Sequence, residues 1–336
     1  KIATIRQLIV ERRFAEADSL SRIYMTGDYT NYGYFSMVGN LWIDFGKNKQ
    51  PVQNYLRGID LSTSRGFVEY TQGGVQFNRE YFCSYPDKLM ALHFTADKAG
   101  KISFSLSHSL VYPPEEVIES ENGLTFNGII RKNGLSYTIR IKIVQQGGSV
   151  KVAHQRIVVE KANEATVFYA VDTEYAPVYP LYKGENPQQN TGKVITKAIT
   201  KGYETVKNTH ISDYQTLYNR VRFTLTGDTA SEQLPTNMRV KQLQKGFTDD
   251  ASLKVLGFNL SRYLLISASR PGTLPSTLQG VWNTFEKAPW NGNFQSNINL
   301  QEMYWGCGPT HLPECEEAYL EWIEGLVEPG RQTARE

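Results

Sequence analysis

Residues 277–305 read TLQGVWNTFEKAPWNGNFQSNINLQEMYW. Within them Gln279, Asn283, Asn291, Asn293, Asn297 and Asn299 are interleaved with Trp282, Trp290, Tyr304 and Trp305. A carboxamide both donates and accepts hydrogen bonds, as a sugar hydroxyl does. An aromatic face can cover the apolar C–H patches of a pyranose ring. The segment therefore has the composition of a saccharide-binding site. A polar loop carrying core aromatics has the same composition, and residue types alone weigh the two equally.

Other chemistries find no support. The chain has no G-x-G-x-x-G, G-x-S-x-G or H-E-x-x-H motif. Gly192-Lys193 looks like the end of a phosphate-binding loop, but Val194 follows where Ser or Thr is needed. Cys307, His311 and Cys315 have the spacing of one helix face, yet Pro309 breaks that helix and no fourth ligand is near, so no metal site is assigned. Along a helix the two cysteines would sit about 12 Å apart, too far for a disulfide. With 36 Lys+Arg against 34 Asp+Glu, the net charge of +2 gives no footprint for nucleic acid. No apolar run reaches the roughly 18 residues of a membrane span.

The elements that must position the segment fall into two kinds. In 336 residues, 40% hydrophobic and 21% charged, there is material for about two domains with real cores. Three cysteines give no disulfide framework, so burial must hold them together. Residues 1–20 carry Ile2, Ile5, Leu8 and Ile9 at helical spacing without a preceding cap, as if the chain began inside an element. Period-2 alternation then recurs over residues 37–175. It includes NLWIDF, a hairpin turned at Gln72-Gly73-Gly74, LTFNGII, YTIRIKIV, SVKVAHQRIVV and ATVFYAV. Many strands with short turns and no long helix between them predict an antiparallel β-sandwich. Pro177, Pro180, Gly184 and Pro187 mark a boundary, after which the period becomes helical. His210, Tyr214, Leu217 and Val221 form one stripe, and Leu312, Cys315, Tyr319, Trp322, Ile323 and Leu326 another. Residues 253–270 are apolar over most of a helical circumference, which predicts burial of Leu256, Leu260, Tyr263 and Leu264.

The run RPGTLPSTLQGVWN, then APW, then NINLQEMYW resembles the signature of glycoside hydrolase family 95, the inverting α-L-fucosidases and α-L-galactosidases. IRQLIVERRFAEA, the stretch from YLRGIDLSTSRG to FCSYPDK, and HISDYQTLYNRVRFTL resemble family segments in the same order, so the resemblance spans nearly the whole chain. Gln301, Glu302 and Met303 stand where the family usually has Glu, Met and Asn, and GCGPTHLPEC departs from the usual stretch that follows.

The resemblance implies a β-sandwich domain over residues 1–180, a helical linker over 181–235 and the first part of an (α/α)6 barrel over 236–336. It implies that Asn297 and Asn299 hold the attacking water, with Trp282, Asn283, Trp290 and Trp305 binding substrate. The substrate would be an oligosaccharide ending in α-1,2-linked L-fucose, with α-L-galactosidase activity or a non-catalytic carbohydrate-binding role as alternatives. A glycoside phosphorylase would need a phosphate site, and the motif has no Arg or Lys cluster. No cofactor, metal, nucleic acid or membrane is implied, and family members are commonly periplasmic or extracellular. The 101 residues from 236 onward fall short of the roughly 190 that twelve helices of about 11 residues with loops of about 5 would need. The general acid and the Asp behind the asparagines are therefore expected past residue 336, in a C-terminal remainder that completes the barrel. Glu286 and Glu302 are the local carboxylates, with solvated roles as the default.

The spacing of Asn297 and Asn299 adds a geometric expectation. At i and i+2 both side chains share a side on extended backbone, whereas on a helix they diverge by about 200°. Residues 297–299 are thus predicted non-helical, with Ile298 in the core, both amides facing one cavity and a helix starting near Gln301.

Overall fold

In the computed structural model, residues 1–27, 35–227, 230–246 and 250–335 are described. Two short helices open the chain, α1 (Ile2–Val10) and α2 (Phe14–Tyr24). The sequence predicts one helix here. Arg12 instead adopts a left-handed φ of 58°, and the Arg13 N–H turns back to the Leu8 carbonyl at 2.8 Å. The break folds Ala17 and Leu20 onto Ile5 and Leu8, burying an apolar stripe that a straight helix would leave in water.

Twelve strands follow: β1 (Gly39–Asp44), β2 (Val52–Asp60), β3 (Arg65–Gln72), β4 (Val75–Ser84), β5 (Leu89–Ala96), β6 (Ile102–Leu110), β7 (Glu116–Ser120), β8 (Gly123–Ile130), β9 (Leu135–Gln146), β10 (Ser149–Ala153), β11 (Arg156–Ala162) and β12 (Glu164–Thr173). They form two antiparallel sheets, one ordered β1-β6-β11-β10 and one ordered β2-β3-β4-β5-β12-β9-β8-β7. The β3–β4 hairpin turns at Gly73 and Gly74, both at positive φ (59° and 68°), as a two-residue turn between twisted strands requires. No helix interrupts residues 66–171.

Alternate residues of the two sheets meet in one core, with Phe94, Leu106, Phe126, Ile139, Ile141, Ile143 and Ile157 nearly inaccessible. The other face of the eight-stranded sheet is covered by α3 (Pro187–Lys201) and α4 (Tyr203–Tyr218), where Phe82, Leu89, Phe168 and Ala170 pack on Ile195, Ala198 and Val206. Strand β12 is therefore apolar on both faces, which is why ATVFYAV reads as a continuous run rather than an alternation.

The helical part continues with α5 (Thr236–Gln244), α6 (Ala251–Ala268), α7 (Asn299–Tyr304), α8 (Pro313–Gly325) and α9 (Val327–Arg335). Its core gathers Tyr214 and Leu217 of α4, Ile266 of α6, Leu300 and Tyr304 of α7, and Leu312 and Cys315 beside α8. The whole is an antiparallel β-sandwich followed by a helical linker and the first part of an (α/α)6 barrel. No helix among the described residues is long and apolar enough to cross a membrane.

One expectation about α6 fails. Leu260 and Leu264 are 40% and 38% exposed, and Leu256 and Tyr263 are only partly buried. The side packed on α4 is Arg262 and Ile266 instead. Residues 260/264 and 262/266 lie about 200° apart on a helix, so burying one pair turns the other out. Arg262 is 2% exposed and spends its guanidinium on the last carbonyls of α4, donating to Tyr218 O at 2.6 Å and Leu217 O at 3.0 Å. A cation at a helix C-terminus meets both its unpaired carbonyls and its dipole.

Candidate active site

The amide- and tryptophan-rich segment connects α6 to α7. Its entrance is fixed by Arg270, which makes a two-pronged ion pair with Asp213 of α4 at 2.9 and 2.8 Å. The same guanidinium lies 4.1 Å from the Tyr85 ring centre, and the Tyr85 hydroxyl donates to the Pro271 carbonyl at 2.7 Å. Sandwich, α4 and loop are thus tied at one point. At the exit Tyr304 performs a similar task. Its hydroxyl accepts from the Ser276 N–H at 3.0 Å and bonds Ser269 Oγ at 2.8 Å, and Ser269 in turn donates to the Cys315 carbonyl at 2.8 Å.

Between these ties the chain turns tightly. Thr277 and Gly280 close a turn with Gly280 at φ +65°, and a Cβ there would meet the Trp282 ring at 3.0 Å, so the position needs glycine twice over. Trp290, Asn291 and Gly292 are consecutive left-handed residues at φ 55°, 57° and 56°. Two of these are not glycine, an arrangement that costs of order 1–3 kcal/mol per residue and persists only where surroundings over-determine it. Here the surroundings include Phe35, whose carbonyl would lie 2.9 Å from a Cβ on Gly292 and whose ring packs edge-on against Phe294 at 5.8 Å. Ser36 adds a hydrogen bond to the Glu286 carbonyl at 2.9 Å.

The site residues read from the sequence separate into two groups. Asn283 is committed locally: its amide donates to Phe285 O at 2.7 Å and accepts from Phe285 N–H at 3.1 Å. Asn293 accepts from Gln295, and Gln301 donates to Ser296 O at 2.7 Å. Asn291, Asn297 and Asn299 differ. All three are exposed, and none of their amides bonds to a described residue. Residues 296–298 form a turn and α7 starts at Asn299, two residues before the predicted start near Gln301. Ile298 is 44% exposed, against its predicted place in the core. Leu300 takes that place, fully buried at the first turn of α7, and a residue two positions earlier then faces outward.

The tryptophans depart from expectation in part, since at least one of the three was to line the sugar pocket and the others to pack in the core. Trp282, Trp290 and Trp305 are 50%, 71% and 66% exposed, and Phe285 on the same loop is 57% exposed. The core position goes to Trp322, packed 4.7 Å from Phe294. Cavities lie on the sandwich, one lined by Arg140, Lys142 and Gly192 and one by Ser103, Ser149 and Glu160. Glu286 and Glu302 are both exposed. Cys307 and Cys315 are buried free thiols whose pKa values burial pushes up to about 12 and about 11; Cys315 and Glu316 add to the rise at Cys307, while Arg270 opposes it at Cys315. They serve as small apolar core residues. Among the described residues no three His, Cys, Asp or Glu side chains group as metal ligands.

Sequence reasoning gave no role to Asp213, Arg270, Tyr85 or Tyr304. A signal existed for all four, because Tyr85, Asp213, Arg270 and Tyr304 lie inside the resembling runs FCSYPDK, HISDYQTLYNRV, RPGTLP and NINLQEMYW. Their pairing is invisible in sequence, since only the fold brings Tyr85 beside residue 270.

Residues 1–177 match the Glycosyl hydrolase family 65, N-terminal domain, and residues 202–336 match the Glycosyl hydrolase family 95 catalytic domain. With the family 95 match over residues 202–336 and alpha-fucosidase relatives along its whole length, the chain fits part of a family 95 enzyme. It is 31% identical to alpha-L-fucosidase 2 of Arabidopsis thaliana over 99% of its own length, and 30% identical to the probable alpha-fucosidase A of Aspergillus niger over 92%. It spans 43% and 40% of those relatives, less than half of each. A solved structure described as a kojibiose phosphorylase from the human microbiome superposes with a TM-score of 0.52 at 10% identity, covering 77% of this chain and 35% of that one. That likeness concerns the fold.

Proposed function

We propose that this chain forms the sandwich (residues 1–180), linker (181–235) and first barrel helices (236–336) of an exo-acting, inverting α-L-fucosidase that releases terminal α-1,2-linked L-fucose from oligosaccharides. The observation that carries this reading is the state of Asn297 and Asn299. In a segment where Asn283, Asn293 and Gln301 all spend hydrogen bonds on neighbours, these two amides, like that of Asn291, are left exposed and unbonded. The exposed faces of Trp282, Trp290 and Trp305 on or beside the same loop supply surfaces on which a sugar can stack.

Inversion needs an acid that protonates the leaving oxygen and a water activated on the opposite face of the ring. A carboxamide is too weak a base to take the proton alone. It orients the water through its oxygen, and a carboxylate accepting from its N–H raises the electron density on that oxygen. In this reading the carboxylate and the general acid come from the rest of the enzyme, whose helices complete the barrel and cover the outward leucines of α6. Glu286 and Glu302, both exposed, stay solvated. Export to the periplasm or the cell exterior belongs to the same reading and is checked by cell fractionation.

In the whole enzyme, Asn297→Ala and Asn299→Ala should each lower kcat on 2′-fucosyllactose by about 100-fold while the melting temperature stays nearly unchanged. Near-normal turnover in both variants would overturn the assignment. NMR of the first-formed sugar should show the β anomer, since inversion of an α-linkage yields it. Preferred cleavage of an L-galactoside would instead make the enzyme an α-L-galactosidase, whose sugar differs from L-fucose by one hydroxyl.

A further inference from the structure

A cavity of about 270 Å3 lies on the outer face of the eight-stranded sheet, where α3 leans over β8 and β9. Along β9 the residues Ile139, Ile141 and Ile143 face the sandwich core, so Arg140 and Lys142 face outward and line this space. Two neighbouring cations on one face of a strand repel each other and call for a counter-charge. None of the described residues forms an ion pair with either. Arg140 donates from Nη2 to the Gln188 carbonyl at 3.3 Å, and Lys142 donates from Nζ to the Ser120 hydroxyl at 3.3 Å. The Arg140 Nε is buried with no acceptor at all. Burial lowers the pKa of both groups; for Lys142 the neighbouring Arg140 adds to this and Glu121 opposes it.

Two glycines shape the cavity. A Cβ on Gly123 would lie 2.9 Å from Lys142 Cδ and 2.4 Å from the Ile141 carbonyl, so glycine makes room for the lysine stem. Gly192 sits in the middle of α3, where glycine costs about 1 kcal/mol relative to alanine. Packing does not demand it, because a Cβ there would meet the Arg140 guanidinium at an ordinary 3.8 Å. A larger side chain at 192 would instead fill the space over Arg140.

We propose that this cavity is a binding site for a compact oxyanion, the carboxylate or sulfate of an acidic saccharide or the free inorganic ion, held by Arg140 and Lys142 with help from the Thr196 hydroxyl, the Ser120 hydroxyl being spent on the Gly123 carbonyl at 3.1 Å. Arg140 presents a planar fork suited to two-pronged contact with such a group, and Lys142 a point charge. The volume is at the small end of ligand cavities, which suits one anionic group with at most one sugar ring. The site is separate from Asn297 and Asn299 and does not depend on their role.

Isothermal titration of the full-length protein with sodium sulfate, glucuronate and glucose, at ionic strength fixed with chloride, tests this. Saturable one-to-one binding of sulfate or glucuronate is expected, with none for glucose. Lys142→Met, Arg140→Met and Gly192→Leu should each weaken it at least 10-fold, the last without removing a charge. Tighter binding of glucuronate identifies a saccharide-borne anion, and equal binding of sulfate identifies the free ion; both support the site. If Arg140→Met fails to fold, as read by circular dichroism, the other two variants carry the test. No saturable binding of either anion, equal binding of glucose, or undiminished binding in the folded variants would overturn the proposal.

Discussion

At the scale of single residues, burial of a titratable side chain sets how the fold responds to pH. His93 is 8% exposed, stacks on Tyr203 at 3.9 Å between centres and bonds Thr166 Oγ1 at 2.8 Å. Desolvation lowers its pKa to about 4, with Lys207 helping and Glu80 and Glu204 opposing. The folded protein therefore holds this ring neutral while the unfolded chain protonates it near its ordinary value of about 6.5. Stability from this residue is complete above that value and is lost as pH falls toward 4. Between pH 7 and 4.5 the loss should be about 2 kcal/mol. Urea unfolding at the two pH values checks it: a His93→Phe variant should lose that much less over the same interval, and an identical loss would remove His93 as the cause.

At the scale of elements, the candidate loop is held by its two ends. The Asp213–Arg270 pair joins α4 to the second residue after α6, with both side chains largely shielded. Breaking one partner leaves the other charge uncompensated, which costs more than the pair contributes. Asp213→Asn should lower stability by about 2 kcal/mol and raise KM more than it lowers kcat, because it loosens the loop without touching the reacting atoms. Thermal melts and steady-state kinetics on the whole enzyme measure both. An unchanged KM would mean that Tyr304 and Phe35 hold the loop without Arg270. The misplaced leucines of α6 belong to the same scale. Periodicity identifies an apolar helix, but which side faces α4 was decided by Arg262 reaching that helix's last carbonyls.

At the scale of the whole molecule, α4 belongs to both cores. Its Val206 packs under the sandwich, while Tyr214 and Leu217 pack in the helical core. The helix also donates from Tyr214 Oη to Leu61 O at 2.7 Å and from Gln215 Nε2 to Ser62 O at 3.0 Å, in the turn between β2 and β3. A helix shared in this way couples the unfolding of the parts it joins. Calorimetry should show one transition for residues 1–336, and Val206→Ala should lower it by about 2 kcal/mol while hydrogen exchange quickens in both β12 and α7. Two separable transitions in the wild type would contradict the coupling.

What the sequence determined by itself was local and periodic. Alternation and paired glycines sufficed for β3, β4, β8 and β9, because a half-buried strand and a tight turn write their constraints into neighbouring residues. The stripe His210, Tyr214, Leu217 marked the buried face of α4 for the same reason. Strand β2 left no such trace: its apolar residues Val52, Tyr55, Leu56 and Ile59 are exposed at a sheet edge, so no buried face imposed a pattern. The candidate site was legible in its residue types and illegible in its geometry. Tyr85 beside Arg270, Phe35 against Gly292, and the outward turn of Ile298 all rest on contacts between distant parts of the chain. Such contacts are selected by packing, which acts on volumes and hydrogen-bond partners that no local window of sequence contains.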